Sequence, residues 1–92
     1  MTDLALPVGI TISNDVLFQN MGDEYVLLNT QTERYFSLNY VGARFWELLS
    51  GGLNIPSAIE KLLAEYEVDR ETLEKDLYAL LKKLENDQLV IL

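Results

Sequence analysis

Two short apolar runs separated by a polar segment form the clearest pattern along the chain. The runs cover residues 25–28 and 35–38, and the segment between them, Asn29–Arg34, is polar throughout. This spacing is typical of a β-hairpin. Leu27 and Leu28 are neighbours and must point to opposite faces, so we expect the first strand to lie in the middle of a sheet and to be covered on both sides.

The second strand of this hairpin is predicted over Arg34–Leu38. Tyr35 and Ser37 share one face of it. Phe36 and Leu38 share the other face and are the expected core anchors.

Shorter runs precede the hairpin. Ile10–Ser13 and Val16–Gln19 are apolar or alternating and flank an Asn-Asp pair, which tolerates turn geometry, so a strand or a bent strand pair is predicted there. Gly22 predicts the turn that leads into the hairpin. Residues 1–8 are expected to be a loose lead-in.

Three amphipathic segments follow the hairpin, each preceded by a residue that can cap a helix. Asn39, Asn54 and Asp69 occupy these cap positions, and Gly51 and Gly52 end the first segment. Apolar residues then recur with helical spacing. The predicted helices cover, in order, residues 40–49, 55–66 and 70–86.

This order of elements predicts an α+β fold of the winged helix-turn-helix-like type, a three-stranded antiparallel sheet followed by three helices. The apolar tail, residues 88–92, is expected to dock on the core as an extended segment. On the third helix, the side chains expected to point into the core are Leu73, Leu77, Leu80, Leu81 and Leu84.

Length and composition limit the chemistry available to the chain. Its 92 residues are expected to form a single domain, residues 1–92. Cysteine and histidine do not occur in the sequence, which removes thiol nucleophiles, Ser-His dyads and Cys or His metal sites, so we expect no enzyme, no cofactor and no metal. Carboxylate pairs such as Glu71 and Glu74 are interpreted as solvated helix faces.

The start does not resemble a signal peptide and the apolar runs are too short to span a bilayer, so we predict a soluble, cytoplasmic protein with no membrane contact.

The charge of the chain argues against nucleic acid as a partner. The formal net charge of −8 repels phosphate. A degenerate winged-helix DNA-binding protein is therefore retained only as an alternative. The first turns of its recognition helix would carry the acidic residues Asp69, Glu71, Glu74 and Asp76 against the basic residues Arg70 and Lys75.

An open edge on the strand at residues 34–38 would be a template for another extended chain. Tyr35 and Tyr40 lie where this strand joins the first helix. We interpret the aromatic residues of this region mainly as core, with peptide contact as the alternative. A structural subunit that dimerises through the same edge or through the tail is a further alternative.

The distributed pattern of the chain resembles one known family. The segments that carry it are YVLLN, RYFSLN, VGARFWELL, a glycine pair, EYEVD and EKDLYALLKKLENDQLV. Together they resemble the PqqD family, whose members are also called RiPP precursor peptide recognition elements, over about residues 10–92. The resemblance implies a domain that binds the leader segment of a ribosomally made precursor peptide and presents it to tailoring enzymes.

In that family the leader adds as an antiparallel strand and lies in the groove between the third strand and the third helix. Carried over by position, the resemblance implies that Arg34–Leu38 pairs with the leader and that Asp76 accepts a bond from a basic or amide group. The implied peptide-binding residues are Arg34, Tyr35, Phe36, Ser37 and Leu38 on the strand and Leu73, Asp76, Leu77, Leu80 and Lys83 on the helix.

The tandem of RYFSLN with FWELL is most similar to the stand-alone B1-type members of lasso-peptide pathways. That subgroup implies a precursor leader peptide, a leader protease and a cyclase as partners. We expect the protein to be a monomer or weak dimer. A PqqD-like chaperone for a radical SAM enzyme is the alternative within the family.

Strand pairing alone is too weak for such binding. We therefore predict a hydrophobic pocket beside the edge strand. We also expect Phe36→Pro to abolish binding by removing a pairing amide.

Overall fold

Five strands and three helices make up the part of the chain that a computed structural model describes, residues 9–22 and 24–91. The lead-in expected at residues 1–8 lies outside this part. In chain order the elements are β1 (Thr11–Ile12), β2 (Val16–Asn20), β3 (Tyr25–Asn29), β4 (Arg34–Leu38), α1 (Tyr40–Ser50), α2 (Ile55–Glu65), α3 (Arg70–Asn86) and β5 (Val90–Ile91).

The main sheet is three-stranded and antiparallel, with the strand order β2-β3-β4. Three helices follow it, so the α+β expectation is confirmed. The two upstream runs do not pair with each other, because β1 pairs with the tail strand β5 instead. The amide of Ser13 extends that contact by donating to the carbonyl of Leu89 at 3.1 Å.

The sheet is covered on one face only, which corrects the expectation of cover on both sides. Leu27 is completely buried, whereas Leu28 on the opposite face is half-buried. Leu28 lies between Leu17 of β2 and Tyr35 of β4 in the strand register, and both of these residues are exposed. The reason is that the residues packed around Leu27, which come from the helices and the tail, gather on its side of the sheet.

The helices begin where the capping residues predict. Side-chain oxygens of Asn39, Asn54 and Asp69 accept hydrogen bonds from the amides of the third helical residues, at 2.7, 2.9 and 3.1 Å respectively. Each bond satisfies an amide that has no partner inside its helix. At the end of α1 the residue with positive φ is Gly52, at 104°, and not Gly51.

The core has two connected parts. One joins the three helices through residues such as Phe45, Leu62 and Leu77. The other joins the inner face of the sheet to α1, α3 and the tail through Leu27 and Leu84. Over residues 88–91 the tail docks as predicted, because Leu89 and Val90 belong to this second cluster, and residue 92 lies outside the described part. Among the described helices, none is long and apolar enough to cross a membrane.

An ion pair links α1 to α2 at the surface. Arg44 donates two hydrogen bonds to the carboxylate of Glu65, at 2.9 and 2.8 Å. These hydrogen bonds, more than the accompanying charge attraction, hold the pKa of Glu65 below its ordinary value of 4.5. Because the pKa is lower in the folded state, the stabilisation is present above pH 4.5 and is lost as the pH falls through the lowered pKa.

We therefore expect Glu65→Gln to lower the melting temperature slightly at neutral pH and to have no effect in strong acid, since surface pairs contribute little. Melting curves at several pH values would check this. Glu67→Gln is the matched control, because Glu67 makes no ion pair with the described residues. An equal effect of the two substitutions at neutral pH would contradict the prediction.

Candidate functional site

Among the described residues the main sheet has two open edges, the outer edges of β2 and β4, and the edge of β4 is the one predicted to bind a peptide. β4 pairs with β3 on one side, and among residues 9–22 and 24–91 there is no strand on its other side. The tail strand β5 could have closed this edge, but it pairs with β1 in a separate two-stranded sheet. The edge is therefore available to a guest chain.

Hydrogen bonds at the two ends of β3 show which of its residues face β2. The amide of Met21 donates to the carbonyl of Glu24 at 2.7 Å, and the amide of Thr30 donates to the carbonyl of Asp15 at 2.8 Å. Both pairs continue the register between β2 and β3. Backbone groups alternate in direction along an antiparallel strand, so even-numbered residues of β3 face β2 and odd-numbered residues face β4.

The same alternation decides which residues of β4 face outward. Phe36 lies opposite the odd-numbered Leu27, so its amide and carbonyl point into the sheet. Tyr35 and Ser37 therefore carry the outward amides and carbonyls. This corrects the expectation for Phe36→Pro, since the Phe36 amide belongs to the protein's own sheet and cannot pair with a guest.

A cleft of about 400 Å³ lies between β4, the start of α1 and one face of α3. Leu73 and Leu77 are buried beneath it, Leu80 is half-buried, and Asp76 and Lys83 are exposed. These five residues recur at helical spacing and so share one face of α3. All five residues predicted on the helix line the cleft, together with Phe36, Ser37 and Leu38 of β4.

Two of the predicted site residues do not line the cleft. Tyr35 is 72% exposed and points to the uncovered face of the sheet, and Arg34 is exposed beside the hairpin turn. Tyr35 reaches the candidate site only through its backbone. Its neighbour in the aromatic group, Tyr40, is 65% exposed and packs edge-on against Tyr25, so the core interpretation is wrong for Tyr35 and Tyr40.

Six lining residues were not predicted. Thr72 and Ala79 lie four residues before and three residues after Asp76, so the helical period contained a signal for them. Val68 precedes α3, and the others come from the start of α1, where only the tertiary structure brings them to the cleft. The six are Asn39, Val41, Gly42, Val68, Thr72 and Ala79.

The charges at the cleft differ from other charges on α3. Within the described residues, neither Asp76 nor Lys83 makes an ion pair. Elsewhere on the helix, Lys82 pairs with Glu85 at 3.3 Å and Arg70 pairs with Glu60 and with Glu74. Asp76 and Lys83 therefore flank an apolar surface and have no ion-pair partner among the described residues. The described residues also contain no cluster of acidic side chains fit to hold a metal ion.

Comparisons with known proteins identify the fold and the family of the chain. TbiB1, solved in complex with the TbiA(beta) leader peptide, is 42% identical, with a TM-score of 0.78 over 87% of this chain and 93% of that one. A lasso peptide synthetase B1 complexed with the leader peptide is 24% identical, with a TM-score of 0.79 over 90% and 98% of the two chains, and shows the shared fold. No curated protein matches the chain. The family description "Coenzyme PQQ synthesis protein D (PqqD)" matches residues 24–90, so the chain belongs to the PqqD family.

Proposed function

We propose that this protein binds the leader segment of a ribosomally synthesised precursor peptide. The leader adds as an antiparallel strand to the outer edge of β4, and its side chains enter the cleft beside α3. The observation that carries this proposal is the position of the open edge next to an apolar cleft. The similarity to TbiB1, which was solved with a leader peptide bound, supports it.

The backbone supplies only part of the binding energy. Tyr35 and Ser37 offer two amides and two carbonyls. At about 0.5 to 1.5 kcal/mol for each hydrogen bond, these groups contribute about 2 to 6 kcal/mol. Micromolar binding requires about 8 kcal/mol, and association has its own entropic cost. Strand addition therefore needs a second source of affinity.

The cleft provides this second source. An apolar side chain buried against Leu73, Leu77 and Leu80 contributes about 1.5 to 3 kcal/mol. Two such side chains bring the total to the micromolar range. The cleft thus selects leaders with apolar residues at positions that face α3, and the outward backbone of β4 holds any sequence in extended form.

Charged residues add selectivity at the rim. Asp76 can accept a hydrogen bond from a basic or amide group of the leader, and Lys83 can donate to an acidic or carbonyl group. Because the protein has a net charge of −8, basic leader residues are expected to speed association more than they tighten the complex.

The biosynthetic context follows from the same similarity. We infer a lasso-peptide pathway over a radical SAM pathway because the second solved structure of the same fold is a lasso peptide synthetase B1, so the expected partners are a leader protease and a cyclase that receive the bound precursor. The protein acts in the cytoplasm, where precursors are made, and serves as a peptide-binding domain and not as an enzyme.

Fluorescence anisotropy with the labelled TbiA(beta) leader tests the proposal. We expect a dissociation constant in the micromolar range or below, and no saturable binding of a scrambled peptide of the same composition. Equal binding of the leader and its scrambled control, or binding of neither, would overturn the proposed function.

We expect Leu80→Asn to weaken leader binding about tenfold or more, because it places an amide in the apolar cleft. The matched control is Leu63→Asn, since Leu63 is also half-buried against the core but does not line the cleft. Both substitutions should lower the melting temperature, and only the first should lower affinity. Equal affinities of the two variants would contradict a role for the cleft.

A further inference from the structure

Gly42 occupies a place in α1 where the fold does not require glycine. Unlike Gly22 and Gly52, Gly42 does not have a positive φ, and it lies inside the first turn of the helix. Glycine is a poor helix former in such a conformation. A β-carbon at this position would lie 3.5 Å from Leu80 Cδ2 and from Leu38 Cδ2, which are ordinary contact distances. The closest atom would be Asn39 Oδ1 at 3.2 Å, which accepts the capping hydrogen bond from the Gly42 amide and would have to shift by a few tenths of an ångström.

The missing side chain lies at the base of the cleft. Gly42 is buried and lines it, and the two leucines nearest to its absent β-carbon come from opposite walls, Leu38 from β4 and Leu80 from α3. A methyl group at Gly42 would therefore bridge the two walls and fill the gap between them. The absence of a β-carbon deepens the cleft at its centre.

We propose that Gly42 is a specificity-determining residue that sets the depth of the cleft for one large apolar side chain of the guest peptide. This inference rests on the proposed function and adds the substrate class. The guest is an extended peptide in which one of the apolar side chains that enter the cleft is large; this anchor lies between Leu38 and Leu80 and contacts the backbone of α1 at Gly42. Any side chain at this position would reduce the depth of the cleft and favour a smaller anchor.

Gly42→Ala tests the inference directly. Filling a packed site with one extra methyl group should weaken binding of the labelled TbiA(beta) leader by about 5- to 100-fold. The melting temperature should change by only about 3 °C, since better helix propensity offsets the shift of Asn39. Gly51→Ala is the matched control, because it adds the same methyl group at the other end of α1, where φ is −80° and the cleft is absent. It should leave the affinity within about twofold.

A series of leader variants shows whether Gly42→Ala acts on the depth of the cleft or on the fold in general. In an alanine scan of the TbiA(beta) leader against the wild-type protein, one apolar position should show the largest loss. At that position, affinity for the wild type should rise from Ala through Val and Leu to Phe. With Gly42→Ala the rise should be smaller and the Ala-anchored peptide should bind both proteins equally well.

Two results would overturn the inference. One is unchanged leader affinity in Gly42→Ala, and the other is the same loss for every anchor size, which would indicate an effect on the fold and not on depth. Either result leaves the proposed function in place if the wild type binds the leader. Failure of the wild type to bind would instead remove the proposed function itself.

Discussion

Ser37→Pro is expected to abolish leader binding while the protein stays folded. The amide of Ser37 points away from β3, so its loss removes no hydrogen bond of the protein's own sheet. Proline is tolerated on edge strands at such positions. The ring replaces an amide that would pair with the guest and also occupies the space of the guest backbone. We expect about 100-fold weaker binding in anisotropy measurements, with an unchanged far-ultraviolet circular dichroism spectrum.

Phe36→Pro is the matched comparison and should act on the stability of the fold itself. The amide of Phe36 points toward Leu27 inside the sheet, so its replacement should destabilise the fold by about 3 kcal/mol or more. Ser37→Pro is thus expected to lose binding and stay folded, whereas Phe36→Pro is expected to lose stability. If Phe36→Pro melts like the wild type while Ser37→Pro unfolds, the outward assignment of Ser37 is wrong.

Leu89→Ala is expected to cause a large loss of stability. Leu89 is 1% exposed and packs in one cluster with Leu27, Trp46 and Leu84. Removing a buried leucine side chain costs about 2 to 5 kcal/mol, through lost transfer energy and the cavity left behind. A domain of this size has about 5 to 15 kcal/mol in total. Urea unfolding should therefore show a clearly lower midpoint.

The control for the tail is Ile91→Ala, two residues farther along the chain. Ile91 is 64% exposed, so its truncation should change the free energy of unfolding by no more than about 0.5 kcal/mol. A similar loss in both variants would contradict the assignment of the loss to burial of Leu89. An unchanged midpoint in Leu89→Ala would show that the tail contributes little to the core.

Local signals in the sequence were sufficient for the helices. The third helix was predicted at Arg70–Asn86 and has those bounds, because Asp69 caps its first turn and its leucines recur with the helical period. The family resemblance, and not the period, added Asp76 and Lys83 to Leu73, Leu77 and Leu80 as expected site residues, and all five line the cleft. These properties depend on residues within a few positions of one another, so a single sequence is enough to predict them.

Backbone direction in β4 could not be predicted in the same way. The sequence indicates that Phe36 and Leu38 share a face, but the side on which the Phe36 amide points depends on the register with β3. Which residues of β3 face β4 follows in turn from bonds between segments far apart, such as the bond from the Thr30 amide to the Asp15 carbonyl. The cause expected for Phe36→Pro, loss of an amide that pairs with the guest, was therefore wrong, although the strand itself was placed correctly.

By itself, the sequence determined the order and type of the elements, the helix caps and the apolar face of α3, because each depends on contacts between near neighbours in the chain. Only the tertiary structure decided that the tail pairs with β1, that the outer edge of β4 stays open and that Gly42 lies at the base of the cleft. These features depend on contacts between segments that are far apart in the chain, and such contacts are set by packing in three dimensions.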